Sequence, residues 1–137
     1  MRTLSLLMIL AACVPLCRLG AEETVIVNAK AVVSSLDIDA LRDLFLGKKT
    51  SWDDGGRVIV AVLKEGPSHE DLMKLLGKNP QQFITSWKKL VFTGKGAMPE
   101  QLDGEDALVD YVARTPGAIA YVDKSKLKEG VKAVAAK

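Results

Sequence analysis

Between Leu63 and Leu72 the chain reads Lys64, Glu65, Gly66, Pro67, Ser68, His69, Glu70, Asp71, and these residue types in this order can hold an anion. Glycine and proline break the apolar run before them, and proline suits the first turn of a helix because it has no amide to leave unbonded. A helix opening at Ser68 would aim several unpaired amides and the positive end of its dipole at one spot. Lys64 and His69 can add charge-assisted hydrogen bonds. Lys64, Gly66, Ser68 and His69 therefore form the candidate oxyanion site. The same residues admit a plainer reading, in which Ser68 caps its helix and Lys64 is solvated. Glu70 and Asp71 bear on both readings, since carboxylates in the first turn compete for the same dipole and repel an anion unless they point away.

Thr93, Gly94 and Lys95, with Gly96 after them, form a second candidate anion loop. Glycines let backbone amides approach a ligand and Lys95 adds charge, although a helix-ending turn uses the same residues. The loop lacks the spacing and the Ser or Thr of a nucleotide-binding loop. Ser34 and Ser35 follow the first strand, where they can meet a ligand at a sheet edge or cap the next helix. Catalysis finds little to work with. His69 is the only histidine, so a histidine metal cluster is excluded, and Ser68 beside it in sequence diverges from it on a helix. No Gly-x-Ser-x-Gly elbow is present. The sequence predicts a non-enzymatic protein without metal or cofactor.

The elements that position these residues follow from apolar periodicity. Short β-branched runs predict strands over 24–27 and 58–63. Ile38, Leu41 and Phe45 recur at helical spacing, with a cap near Ser35 or Asp37 and a stop at Gly47. Leu72, Met73, Leu75 and Leu76 give the helix after Ser68 its apolar face, ending at Gly77. Asn79 and Pro80 open the next helix, where Phe83, Ile84, Trp87, Leu90 and Val91 fall on one stripe. A glycine-rich loop over 93–99 follows, then a helix over 105–113 with Ala107, Leu108, Tyr111 and Val112 inward. Pro116 and Gly117 turn the chain into a strand over 118–122, and a last strand covers 131–135. Strands separated by helices predict an α/β domain with a small, mainly parallel sheet flanked by helices. Trp52, Trp87 and Tyr121 read as core or edge aromatics.

The amino-terminal segment has one early charge, Arg2, and an apolar run over 4–16. That run falls short of the ~20 residues a membrane-spanning helix needs. It predicts a secretory signal over 1–21, cleaved after Ala21, with residues 22–137 as one domain. Leu10, Ala11, Ala12 and Cys13 also spell a lipobox, in which Cys13 would carry the lipid. Both cysteines, Cys13 and Cys17, lie in this segment, so cleavage after Ala21 leaves no disulfide framework and no thiol. It also removes Arg2 and Arg18, which leaves 17 basic residues against 17 acidic ones. A near-neutral domain lacks the electrostatic footprint of a nucleic-acid binder.

Residues 41–52, with a Leu-Arg-Asp-Leu-Phe-Leu-Gly-Lys core and Trp52, followed by Asp54, Gly55 and Gly56, resemble the middle segment of phosphate-type periplasmic solute-binding proteins. Residues 115–122, Thr-Pro-Gly-Ala-Ile-Ala-Tyr-Val, resemble that family's later segment, where the second alanine is usually glycine, and residues 92–96 are similar to its short members. The resemblance spans nearly the whole mature chain and corresponds to the crossover and one lobe of a two-lobed, type II binding protein. It implies the fold of that lobe, a periplasmic location, phosphate or a similar oxyanion as ligand, and an ABC transporter permease as partner. By position, Lys64 stands where the family's phosphate-holding arginine lies and Ser68 where its serine lies; His69 and Glu70 replace a glycine and a threonine. With one lobe, the rest of the clamp would come from a homodimer or a partner lobe. The rival expectation is a ligand-free interaction module that kept the fold and lost the pocket.

Overall fold

The computed structural model describes residues 22–136; the expected signal segment, with Cys13 and Cys17, lies outside them. Strand β1 (Glu23–Asn28) leads through a two-residue strand β2 (Ser35–Leu36) into helix α1 (Ile38–Phe45), then strand β3 (Ile59–Leu63), helices α2 (Pro67–Leu76) and α3 (Pro80–Phe92), strand β4 (Glu100–Leu102), helix α4 (Glu105–Arg114) and strands β5 (Ala118–Asp123) and β6 (Val131–Ala136). The sheet order is β2-β6-β1-β5-β3-β4. β2 pairs parallel with β6, and β3 parallel with both β4 and β5, whereas β1 is antiparallel to β5 and β6. Five strands thus run one way and β1 alone opposes them, which makes the sheet mainly parallel, as strands separated by helices predict. The carboxyl ends of β3, β4 and β5 share one edge with the start of β1, where Glu23 faces Asp123.

Local sequence explains most element ends. Asp37 caps α1 by accepting the Ala40 amide at 2.6 Å, so Ser35 is free to enter β2. Asn79 and Gln82 bond reciprocally at the start of α3, a capping box that satisfies two otherwise unbonded amides. Gly77 closes α2 in a left-handed conformation, φ +67°, which glycine adopts without a Cβ penalty.

Strand alternation divides the core into two layers. Val25, Val27, Val60, Val62 and Ile119 face α1, α2 and α3 with Leu41, Phe45, Leu72, Phe83 and Trp87. Ile26, Ala61, Leu63, Ala118, Ala120 and Val122 face α4 with Leu108, Val109 and Val112. Alanines at 61, 118 and 120 keep that second surface low beneath a single helix. Two expected core positions differ: Ala107 is exposed while Val109 is buried, and Val91 is 40% exposed. In α4 the buried face is turned toward Val109, and in α3 it is narrower than the apolar pattern, because one sheet face covers only one side of each helix.

The segments that carry the family resemblance are joined to each other. Trp52 donates its indole N–H to the Gly117 carbonyl at 2.9 Å, and Ile59 donates its amide to the same oxygen at 3.0 Å. Gly117 has φ +89°, and a Cβ there would lie 2.3 Å from the Arg57 carbonyl oxygen. Trp87 donates to the Phe45 carbonyl at 3.0 Å, and a Cβ on Gly47 would lie 2.5 Å from Leu90 Cδ1 and 2.9 Å from the Trp87 ring. These residues hold the loop after α1 against α3 and the entry of β5. Their work is structural.

Candidate functional site

The amino end of α2 follows β3 directly and lies at the carboxyl edge of the sheet, where open α/β sheets receive ligands. Gly66 occupies the cap position with φ +115° and no side-chain cap, and Pro67 begins the helix. The helical ladder opens with the Glu70 amide on the Gly66 carbonyl at 3.0 Å, so the Ser68 and His69 amides have no carbonyl of their own helix to bond.

Ser68 is 4% exposed, and its hydroxyl donates to Glu105 Oε1 at 2.5 Å. The same oxygen accepts the Asp123 amide at 3.0 Å. Glu105 is the first residue of α4, placed there because β4 runs parallel to β3 and ends beside it, with the Lys64 amide on the Leu102 carbonyl at 3.0 Å. The amino ends of α2 and α4 therefore meet across one carboxylate. What Ser68 already binds is an oxyanion belonging to the protein.

Lys64 points elsewhere than expected. Its ammonium pairs with Asp103 at 3.0 Å, and both side chains are more than half exposed. Such a pair contributes ~0–1 kcal/mol, so Lys64 can leave it at little cost. His69 departs further from the sequence expectation: it is 6% exposed, its ring packs edge-on to Phe83 at 6.4 Å, and Nδ1 has no hydrogen-bond partner. Burial holds its pKa below the ordinary 6.5, against the opposing charge of Glu70. His69 is a core ring, and it supplies no charge-assisted bond to a ligand.

The rest of this edge is acidic. The Tyr121 hydroxyl donates to Asp71 Oδ2 at 2.6 Å. Burial, the bond to Asp71 and the surrounding negative charge raise the Tyr121 pKa well above its usual value. Glu23 is raised as well, chiefly by burial, against an opposing backbone hydrogen bond, with Asp71, Asp123 and Glu105 adding to the rise. An incoming anion meets carboxylates on several sides, and a group able to displace Glu105 must satisfy the Ser68 hydroxyl and the Asp123 amide together. Glu105 is the residue sequence reasoning missed. Its one signal was an acidic residue directly after Gly104 at a helix start, and only the three-residue strand β4 brings it to Ser68.

The second candidate loop is a helix end. Thr93, Gly94 and Lys95 donate their amides to Lys89, Val91 and Leu90 carbonyls at 3.1, 3.1 and 2.8 Å, and the Thr93 hydroxyl also bonds back to Lys89 and Leu90. The amides of these three residues are therefore taken by the helix end. Ser34 and Ser35 line a cavity of about 380 Å³ with Asn28 and Trp52. No group of three or more metal-ligating side chains occurs among the described residues, and no helix among them is long and apolar enough to cross a membrane.

No family model matches the sequence. Solved structures do resemble this fold. A phosphate ABC transporter substrate-binding protein from Clostridium perfringens, with bound phosphate, superposes with a TM-score of 0.68 at 18% identity, over 83% of this chain and 44% of its own. An ABC-type phosphate transport receptor from Vibrio cholerae gives 0.66 at 13% identity, over 83% and 45%. PstS from Borrelia burgdorferi gives 0.64 at 10% identity, over 84% and 47%. The chain shares the fold of part of these proteins and spans less than half their length.

Proposed function

We propose that this protein captures phosphate or a similar oxyanion at the amino end of α2, as a periplasmic, non-enzymatic solute-binding component working with an ABC transporter permease. The observation that carries this reading is Ser68, a buried hydroxyl at the start of the helix that follows β3, holding a carboxylate in a fold shared with phosphate receptors. In the bound state the oxyanion takes the place of the Glu105 carboxylate on the Ser68 hydroxyl and the free amides of Ser68 and His69. Lys64 leaves Asp103 to add its charge. Recognition is then by amide and hydroxyl donors, which favour a compact, multiply accepting anion.

The internal pairing of Ser68 with Glu105 and of Lys64 with Asp103 is the one observation favouring the rival, an interaction module that binds no ligand. Calorimetry of residues 22–137 with phosphate, sulfate and molybdate separates the two. Saturable heat with one of them, abolished in Ser68→Ala, is the expected result. Silence with all three overturns the anion reading.

A further inference from the structure

The opposite end of the sheet has the reverse electrostatic character. From Leu72 to Pro99 the chain contains no aspartate or glutamate and five lysines, Lys74, Lys78, Lys88, Lys89 and Lys95. The rest of residues 22–137 holds 12 basic residues against 17 acidic ones, so the near-neutral total conceals a strong separation of charge. None of the five lysines has a carboxylate within 4.0 Å among the described residues. Beside the entry to β3, Lys95 also borders a hollow with Lys49 and Arg57, and no acidic residue lines it.

The same end of α3 exposes apolar side chains. Phe92, its last residue, is 92% exposed, Val91 40% and Met98 39%. Lys88 and Lys89 stand one turn before Phe92, on its side of the helix, whereas Phe83 and Trp87 face the core. A ring this exposed projects from the surface instead of lining a cleft. A stable protein partner would need roughly 20–30 residues a side and a pocket of its own for the ring. A lipid interface needs neither, because it takes in a projecting aromatic and its phosphates meet the lysines around it.

From this arrangement we propose that the carboxyl end of α3 docks on an anionic lipid surface, with Phe92, Val91 and Met98 entering the headgroup layer and Lys88, Lys89 and Lys95 pairing with lipid phosphates. Charge complementarity brings the protein to the surface, and the exposed ring holds it there. The surface is remote from Ser68, and the inference does not rest on the anion reading at that site.

Flotation of residues 22–137 with vesicles of equal parts phosphatidylglycerol and phosphatidylcholine tests the inference. Binding to these vesicles, absent with phosphatidylcholine alone and lost at high salt, is the expected result. Affinity falls at least tenfold in Lys88→Gln/Lys89→Gln/Lys95→Gln and at least fivefold in Phe92→Ser, and stays unchanged in Ser68→Ala. Since no cysteine follows Ala21, a polarity-sensitive fluorophore on Phe92→Cys reports that position alone. Its emission shifts to the blue on the vesicles, and that of the same fluorophore on Ser125→Cys, at the far edge of the sheet, does not. Thermal unfolding of each variant establishes that it folds. Absence of flotation, equal affinity in the folded triple lysine variant, or equal shifts from both fluorophore positions would each overturn the proposal. Equal affinity in folded Phe92→Ser would do so as well, by marking a merely electrostatic surface open to any acidic protein.

Discussion

The Ser68 hydroxyl and the Lys64 ammonium hold their internal partners with very different strength. Lys64 and Asp103 are exposed and contribute ~0–1 kcal/mol. Ser68 is buried and bonds a carboxylate, a contact of ~1.5–3 kcal/mol, so Glu105 and not Asp103 governs access to the helix end. Ser68 and Lys64 were legible in the sequence because a strand end, a glycine, a proline and a serine are local signals. Glu105 was not, since its role depends on a partner 37 residues away. His69 was legible as a residue and misread as a donor, because burial is a property of packing. Its lowered pKa has a consequence for stability. Near pH 6.5, the ordinary value, the unfolded chain takes up a proton that the folded chain refuses. The stability present above that pH is therefore lost as pH falls through it toward the folded pKa. Thermal unfolding between pH 7.5 and 5.5 is predicted to show this loss in the wild type and a shallower one in His69→Leu; parallel curves would contradict it.

Helices and central strands are set by periodicity and end signals that a sequence displays, and α1, α2, α3, α4, β1, β3, β5 and β6 all lie where apolar spacing puts them. The two strands that sequence reasoning missed are β2 and β4, of two and three residues. β4 reads Glu-Gln-Leu, without alternation, and exists because β3 offers it a ladder at Ala61, Val62 and Leu63. β1 running against the rest was equally invisible, since periodicity states that a strand forms and not which way it points. Glycine positions report contacts of the same long-range kind. Gly55 and Gly117 have nearly equal φ, +88° and +89°, but a Cβ at 55 meets nothing within 4 Å whereas one at 117 meets the Arg57 carbonyl at 2.3 Å. Gly55→Ala is predicted to destabilise by about 1 kcal/mol from backbone strain alone. Gly117→Ala adds a backbone clash and is expected to reach roughly 3 kcal/mol, with loss of the Trp52 bond. Denaturant unfolding of the two variants checks the difference, and equal values would show that the Trp52 loop yields freely.

As a whole the sheet has two edges of opposite charge. Its acidic carboxyl edge carries Ser68 and Glu105, and its basic opposite edge carries Lys49, Arg57 and Lys95. The chain spans less than half the length of the solved structures it resembles, and under the proposed function a second copy supplies further contacts to the anion. Sedimentation of residues 22–137 is predicted to show a shift from monomer toward dimer when phosphate is added, and an unchanged monomer would place those further contacts in another protein. Whether Ser68 receives an oxyanion at all is decided by Glu105, which stands where that anion would sit. Calorimetric comparison of phosphate binding to the wild type and to Glu105→Gln, at one pH and salt concentration, tests this most directly. A Kd at least tenfold lower is expected for Glu105→Gln, because a neutral amide is displaced in place of a charge. Equal affinities, or binding lost in the variant, would contradict it.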